Sequence, residues 1–215
     1  MHAAACMIQN PDLSYETNLW TYYNHIAGLD EAGRGALAGP VAVGAVILPD
    51  DEPLLFQALA GVRDSKQMTP MARESLAPRI KEVALTWSVA FASAEEIDSL
   101  GIVRATRTAT IRALSSLSIP PQYLLTDFHL ELPQLDISQT SIVKGDVHCL
   151  TIAAASVLAK TARDELMREL DLQYPNYGLG KHKGYGTQAH RSAMKRLGYS
   201  PIHRKTFVLK ENSLT

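Results

Sequence analysis

Asp30 and Glu31 close a short apolar run, and the eight residues from Gly33 to Pro40 hold three glycines and a proline. No helix survives that density of breakers. The chain must therefore stop and turn directly after two adjacent acids. His25 to Leu29 before them is apolar, and Val41 to Leu48 after them is rich in β-branched residues. Both read as strands. Thr86 to Ala92 alternates and reads as a third, completing an antiparallel meander.

Beyond the meander the pattern changes to helices interleaved with strands. Ser93 with Glu96 matches a capping box. Ile102 to Leu117 is predicted helical, with Val103, Ala109, Ile111 and Leu114 along it, stopped by Pro120-Pro121. Tyr123 to Thr126 is a short strand that delivers Asp127. Ser141 to Val143 is another, leading through Lys144-Gly145 to Asp146. Ile152 to Leu172 is a long helix with Leu158, Ala162, Leu166 and Leu170 on one face. Ala153, Ala154 and Ala155 suit close approach to a sheet, and Pro175 ends the helix. Gln188 to Leu197 is the last helix, ended by Gly198. This order predicts an α/β fold, a mixed sheet flanked by helices. Residues 1–24 read as a loose N-terminal arm, 25–173 as the main domain and 174–215 as a basic helical segment packed on it.

The 215 residues, 46% hydrophobic and 20% charged, suit one soluble domain with a small appendage. No stretch approaches the roughly 20 apolar residues of a membrane span. Met1 to Asn10 shows no secretory pattern. Cys6 and Cys149 are far apart and form no CxxC pair, so a reducing cytoplasm is expected, with neither disulfide nor zinc. A monomer is the default. The net charge of −1 conceals an asymmetry. From Leu172 to Lys210 there are eight Lys or Arg and no Asp or Glu, whereas the remainder carries thirteen basic against twenty-two acidic residues. Tyr174, Tyr177, Tyr185 and Tyr199 lie in the basic stretch. Positive charge interleaved with aromatics suits a nucleic acid.

Two adjacent acids at a strand end are costly unless a cation neutralises them. Alone, the pair is more often a solvated turn. Asp127 and Asp146 at two further strand ends change that balance toward a divalent metal, Mg²⁺ or Mn²⁺, which prefers oxygen ligands. Phosphodiester hydrolysis uses such a cluster, because its transition state gathers charge on several oxygens that two cations roughly 3.5–4 Å apart stabilise together. The glycines of 33–39 superficially match a dinucleotide loop, but Pro40 and a strand follow where that loop needs a helix. His148 beside Cys149 is discounted as a nucleophile pair.

Gly28-Leu29-Asp30-Glu31-Ala32-Gly33-Arg34-Gly35 with Leu37-Ala38-Gly39-Pro40 resembles the first motif of the prokaryotic ribonuclease HII family. Asp64-Ser65-Lys66 resembles the second. Lys144-Gly145-Asp146, Ile152 to Ser156, Ala159-Lys160 and Arg163-Asp164 are similar to its long-helix signature. His182 to Thr187 and Pro201-Ile202-His203-Arg204 resemble its C-terminal motifs. The blocks run in order from about Ile26 to Phe207.

The resemblance implies a ribonuclease-H-like fold with a central five-stranded mixed sheet and a small C-terminal helical part. It implies Asp30, Glu31, Asp127 and Asp146 as catalytic and metal-binding acids. It implies a substrate of RNA–DNA hybrid, or duplex DNA with embedded ribonucleotides, cut to a 3′-hydroxyl and a 5′-phosphate. Gly33, Arg34 and Gly35 would touch the 2′-hydroxyl, and Tyr185 would stack on the next deoxyribose. Lys66, Lys183, Arg204 and Lys205 would hold phosphates. Asp164 reads as an ion-pair partner on its helix. Three departures from the family pattern stand out. Phe128 follows the third acid in place of the usual glycine, and His148, Cys149 and Thr151 follow Asp146 where a Lys and two serines are common. Ala36 stands at a position that varies.

Overall fold

The computed structural model describes residues 10–50, 52–127 and 130–207. Its sheet has five strands in the order β3-β2-β1-β4-β5. The central strand β1 (Ile26–Ala32) runs antiparallel to β2 (Val41–Ile47) and parallel to β4 (Tyr123–Asp127). Outside these, β3 (Thr86–Ala92) pairs antiparallel with β2, and β5 (Ser138–Ile142) pairs parallel with β4. The expected mixed sheet and its opening meander are both present. All seven positions of β2 are buried, as an unbroken apolar strand requires when both sheet faces are covered.

One face is covered by α7 (Leu150–Gln173), together with α2 (Glu52–Ala58) and α3 (Pro70–Val83), over Val46, Leu55, Leu76, Ile80 and Leu158. The other carries α4 (Ala94–Leu100) and α5 (Ile102–Ser115), which bury Leu29, Val43, Ile97, Ala105 and Ala109. The long helix sits unusually close to the sheet. A Cβ on Gly28 would come within 2.4 Å of the Thr151 carbonyl carbon, and one on Gly44 within 2.3 Å of the Ala155 oxygen. Glycine on the strands and alanine on the helix together allow backbone-to-backbone contact, which fixes α7 relative to β1 and β2. Ser93 and Glu96 do form the capping box that opens α4.

Four expectations need correction. Helix α3 was not foreseen, because Pro78 and five charged residues interrupt its apolar stripe of Leu76, Ala77 and Ile80; Thr69 caps it and Pro70 starts it. The edge strand β5 begins at Ser138 rather than Ser141, since its polar residues carry no hydrophobic signature. On α5 the buried face is Ala105, Thr106, Ala109, Thr110 and Ala113, while Val103 and Ile111 stay exposed. The N-terminal arm is not loose where it is described. Helix α1 (Ser14–Trp20) buries Glu16, and Leu13 joins the core.

Glu16 explains that docking. Its Oε1 accepts from the Thr151 N–H (2.8 Å), the Thr151 hydroxyl (2.6 Å) and the Cys149 thiol (3.1 Å). Cys149 precedes α7 and makes no side-chain cap of its own. A residue 135 positions upstream therefore caps the longest helix. Burial holds the Glu16 carboxyl above its usual range. At the other end of the chain, α8 (Leu179–His182) and α9 (Gln188–Leu197) pack through Leu179 and Ala193 on Ala38 and Met167. Among the described residues no helix is long and apolar enough to cross a membrane.

Candidate active site

The register of β1 on β4 pairs Leu29 with Thr126. The next residues along these parallel strands are Asp30 and Asp127, so the two acids stand side by side at the strand ends. Asp30 is 1% exposed. Its Oδ1 accepts from the Glu31 N–H at 2.7 Å, while Oδ2 has no partner. Glu31 is half-buried, and its Oε2 also lacks a partner. The Asp127 Oδ1 accepts from the Gly145 N–H at 2.8 Å, tying β4 to α6 (Gly145–His148). Contrary to the expectation of a strand end, Asp146 lies in the first turn of α6 and is 4% exposed.

The electrostatics of these groups favour a cation. Burial raises the Asp30 carboxyl well above its usual range, and the neighbouring Glu31 adds to it. Burial likewise raises Glu31, opposed by Arg34, whose guanidinium lies 4.0 Å away. Asp146 is pushed up to about 6 by burial and then by Asp64, while Lys66 at 3.6 Å pulls the other way. Among the described residues no three His, Cys, Asp or Glu side chains are already closed into a coordination cluster. Like-charged carboxylates stand apart until something positive draws them in. The two buried, unpartnered oxygens of Asp30 and Glu31 nevertheless fit a hard divalent cation, which takes carboxylate oxygens as ligands. A buried carboxylate oxygen without a donor is otherwise costly.

Lys66 is held in place from below. Asp64 caps its turn by accepting from the Lys66 N–H at 2.8 Å. The buried Arg73 donates to the Ser65 and Met68 carbonyls (2.8 and 2.6 Å) and to Asp164 (3.0 Å). Asp164 also accepts from Lys160 at 2.6 Å, as its reading as an ion-pair partner anticipated. Ser156 on α7 donates its hydroxyl to the Ser65 oxygen at 2.8 Å.

The loop from Gly33 to Gly39 is gripped by two fully buried arginines. Arg204 donates to the carbonyls of Gly33 (2.8 Å), Arg34 (2.8 Å) and Gly39 (3.0 Å). Arg163 donates to those of Pro40 (2.8 Å), Lys183 (2.9 Å) and Ala38 (3.2 Å). Arg204 was expected to hold phosphate; at 0% exposure, with its fork spent on backbone oxygens, it cannot. The phosphate role was what the resemblance implied, and a place in a basic run says nothing of burial. Arg163 stands within the long-helix motif, and nothing in its spacing announces three carbonyl acceptors.

Gly33 has φ of +88°, and a Cβ there would strike the Arg163 Nε at 1.8 Å. Gly35 is exposed, and a Cβ there would meet nothing within 4 Å. Its freedom faces outward. Tyr185 is 36% exposed, with the Arg163 and Lys160 cations 5.4 and 5.5 Å from its ring centre. Lys183 is half-buried, and its ammonium donates to the Gly180 carbonyl. Lys205 is exposed and donates its N–H to Asp98 at 2.9 Å. Of the four tyrosines in the basic stretch, Tyr177 is buried and bonded through its hydroxyl to Gly198, so it is a core residue.

Behind Tyr185 lies a chain of neutral imidazoles. The Ser200 N–H donates to His203 Nδ1 at 3.0 Å, so that ring carries its proton on Nε2. It donates to His190 Nε2 at 3.1 Å, and His190 Nδ1 donates to the Tyr185 carbonyl at 3.0 Å. Burial, reinforced by His182, pushes His190 down to about 4. Phe128 lies outside the described residues.

Acids at neighbouring strand ends of a sheet ordered 3-2-1-4-5 define a class, the ribonuclease-H-like hydrolases. A solved structure agrees: the ribonuclease H2 of Pyrococcus horikoshii superposes with a TM-score of 0.72 at 27% identity, covering 85% of this chain and 93% of that one. The sequence profile of ribonuclease HII matches residues 27–210. The ribonuclease HII of Desulfitobacterium hafniense is 49% identical over 203 residues, 94% of this chain and 76% of that protein. That of Thermus thermophilus is 50% identical over 192 residues, 89% of this chain and 90% of that protein. The chain belongs to the ribonuclease HII family and is an enzyme, a ribonuclease H.

Proposed function

We propose that this chain hydrolyses the RNA strand of RNA–DNA hybrids and nicks duplex DNA 5′ to single embedded ribonucleotides, leaving a 3′-hydroxyl and a 5′-phosphate. Asp30, Glu31, Asp127 and Asp146 would hold Mg²⁺ or Mn²⁺. The observation that carries this reading is the pair of buried carboxylate oxygens without partners, Asp30 Oδ2 and Glu31 Oε2, at the mouth of a site bordered by Lys66. When bound, two such cations activate water and stabilise the leaving oxygen of an in-line displacement.

The chain's own groups supply binding and orientation. Lys66 is 69% exposed beside Asp146 and offers its ammonium to a phosphate flanking the cleaved bond. Lys183 and Lys205 add positive charge on the C-terminal side. The Gly33-Arg34-Gly35 segment meets the 2′-hydroxyl, the one group that separates RNA from DNA at a given site. Tyr185 stacks on the following deoxyribose, where a second 2′-hydroxyl would obstruct it. Asp127 bonds the Gly145 N–H, which ties the acid on β4 to the turn that carries the acid on α6.

The test is a labelled DNA duplex with one embedded ribonucleotide, incubated with Mg²⁺ or Mn²⁺, beside all-DNA and chelator controls. One metal-dependent nick 5′ to the ribonucleotide, absent from all-DNA, is expected. Equal cutting of both duplexes, or no cutting in either metal, refutes the reading.

A further inference from the structure

We propose that Arg204 is a positioning residue for ribonucleotide recognition, aiming two backbone donors of the Gly-Arg-Gly segment at the sugar. The inference rests on the reading that this segment meets the 2′-hydroxyl. It adds how the segment is aimed.

The argument is one of peptide geometry. The C=O and N–H of a trans peptide point in opposite directions, and no described peptide is cis. Arg204 draws the carbonyls of Gly33 and Arg34 inward to its buried guanidinium, at 2.8 Å each. The N–H groups sharing those peptide planes belong to Arg34 and Gly35, and they are turned outward. Among the described residues neither N–H donates to any acceptor. Gly35 adds no side chain, and the space beside it is open. The result is two adjacent, unused donors on the surface with their orientation set from behind. That suits an oxygen acceptor such as a ribose hydroxyl.

The same fork holds Gly39, at the far end of the loop. A planar guanidinium presents its donors in a fixed fork whose three nitrogens each meet a different carbonyl here. Lysine carries the same charge as a single point on a flexible stem. This separates the proposal from a phosphate-binding role, in which charge alone suffices and lysine substitutes.

The experiment measures kcat and KM on the single-ribonucleotide duplex in Mg²⁺ for the wild type, Arg204→Lys and Arg204→Ala. An all-DNA duplex of the same sequence serves as competitive inhibitor across a salt series. Both variants are expected to lose about tenfold or more in kcat/KM, the effect of two misdirected hydrogen bonds. Inhibition by all-DNA and its salt dependence stay at the wild-type level. Wild-type kcat/KM in Arg204→Lys overturns the proposal. So does a loss in Arg204→Ala matched by weaker all-DNA inhibition with a shallower salt slope, the sign of a phosphate contact. A wild type that cuts both duplexes alike refutes the functional reading instead.

If either variant fails to fold, the wild type decides, in chelator so that no cutting occurs. The Arg34 and Gly35 amide resonances are expected to move on adding the ribonucleotide duplex and not the all-DNA duplex. Resonances that stay still with both overturn the proposal.

Discussion

Alanine at Gly33 and alanine at Gly35 differ by one methyl group each, two positions apart, and the structure separates their consequences. At Gly33 the backbone has φ of +88°, and a non-glycine residue on that side of the map costs about 1–2 kcal/mol. The new Cβ would also lie 1.8 Å from the Arg163 Nε and 2.4 Å from its Cζ. Those atoms belong to a buried guanidinium with three carbonyl partners, so the clash is relieved only by breaking its bonds to Pro40, Lys183 or Ala38. A buried polar group robbed of its partner costs about 1–3 kcal/mol. With strain and at least one or two lost bonds, Gly33→Ala costs about 4–6 kcal/mol, a large part of the roughly 5–15 kcal/mol that holds a protein folded. Gly35 has open space and no positive φ, so its alanine variant changes stability by about 0.5 kcal/mol at most. Its methyl group, however, stands where substrate is proposed to sit. Urea unfolding reads the difference. At a slope of about 2 kcal/mol per molar, Gly33→Ala lowers the midpoint by about 2–3 M and Gly35→Ala leaves it in place. Gly35→Ala instead loses cleavage of the ribonucleotide duplex. A Gly33→Ala midpoint within about 0.5 M of wild type would refute the packing argument. Unimpaired cleavage by Gly35→Ala would refute the substrate argument.

Asp30→Asn should lower cleavage on the order of a thousandfold, since several kcal/mol of charge stabilisation is removed at about 1.4 kcal/mol per decade. It should also raise the urea midpoint at pH 8, because burial makes the charged carboxylate unfavourable in the folded chain; a lowered midpoint contradicts that. Glu16 has a folded carboxyl held above its usual 4.5, so its ionisation opposes folding as pH rises through the folded value. Glu16→Gln keeps the acceptor toward Thr151, and its midpoint should gain on wild type between pH 5 and pH 8; a wild-type advantage that grows with pH rules this out. His190 falls from 6.5 to about 4 on folding, so stability is fully present above 6.5 and is lost as pH falls through 4. At about 1.4 kcal/mol per decade the loss approaches 3 kcal/mol. His190→Asn should flatten that acid limb, and an unchanged limb would show that another group causes it.

The acids and the strands that carry them were legible in the sequence because two periodic signals coincide there. Apolar runs mark β1 and β4, and each leads into a carboxylate, while Gly33 to Pro40 forbids a helix between β1 and β2. Asp146 was expected at a strand end and lies instead in the first turn of α6, because the polar β5 left its bounds without a hydrophobic signature. Arg204 and Arg163 were illegible for a different reason. A buried arginine is specified by acceptors scattered over the chain, and here these are carbonyls, which every residue possesses and no composition reveals. Glu16 was hidden likewise: an acid in a weakly periodic arm looks solvated until the uncapped start of α7 is placed against it. Charge that serves the fold and charge that serves a ligand look alike in one dimension, and burial tells them apart.

The reach of the Arg204 grip along the chain bears on when this enzyme begins to work. Gly33 and Arg204 are 171 positions apart, and Pro40 and Arg163 are 123 apart. The loop beside Asp30 and Glu31 is held in shape by side chains far downstream of it. A chain that has not yet reached Arg204 therefore carries its acids beside a loop that lacks this grip. The shape of the first loop thus depends on the segment that carries Arg204 closing over it.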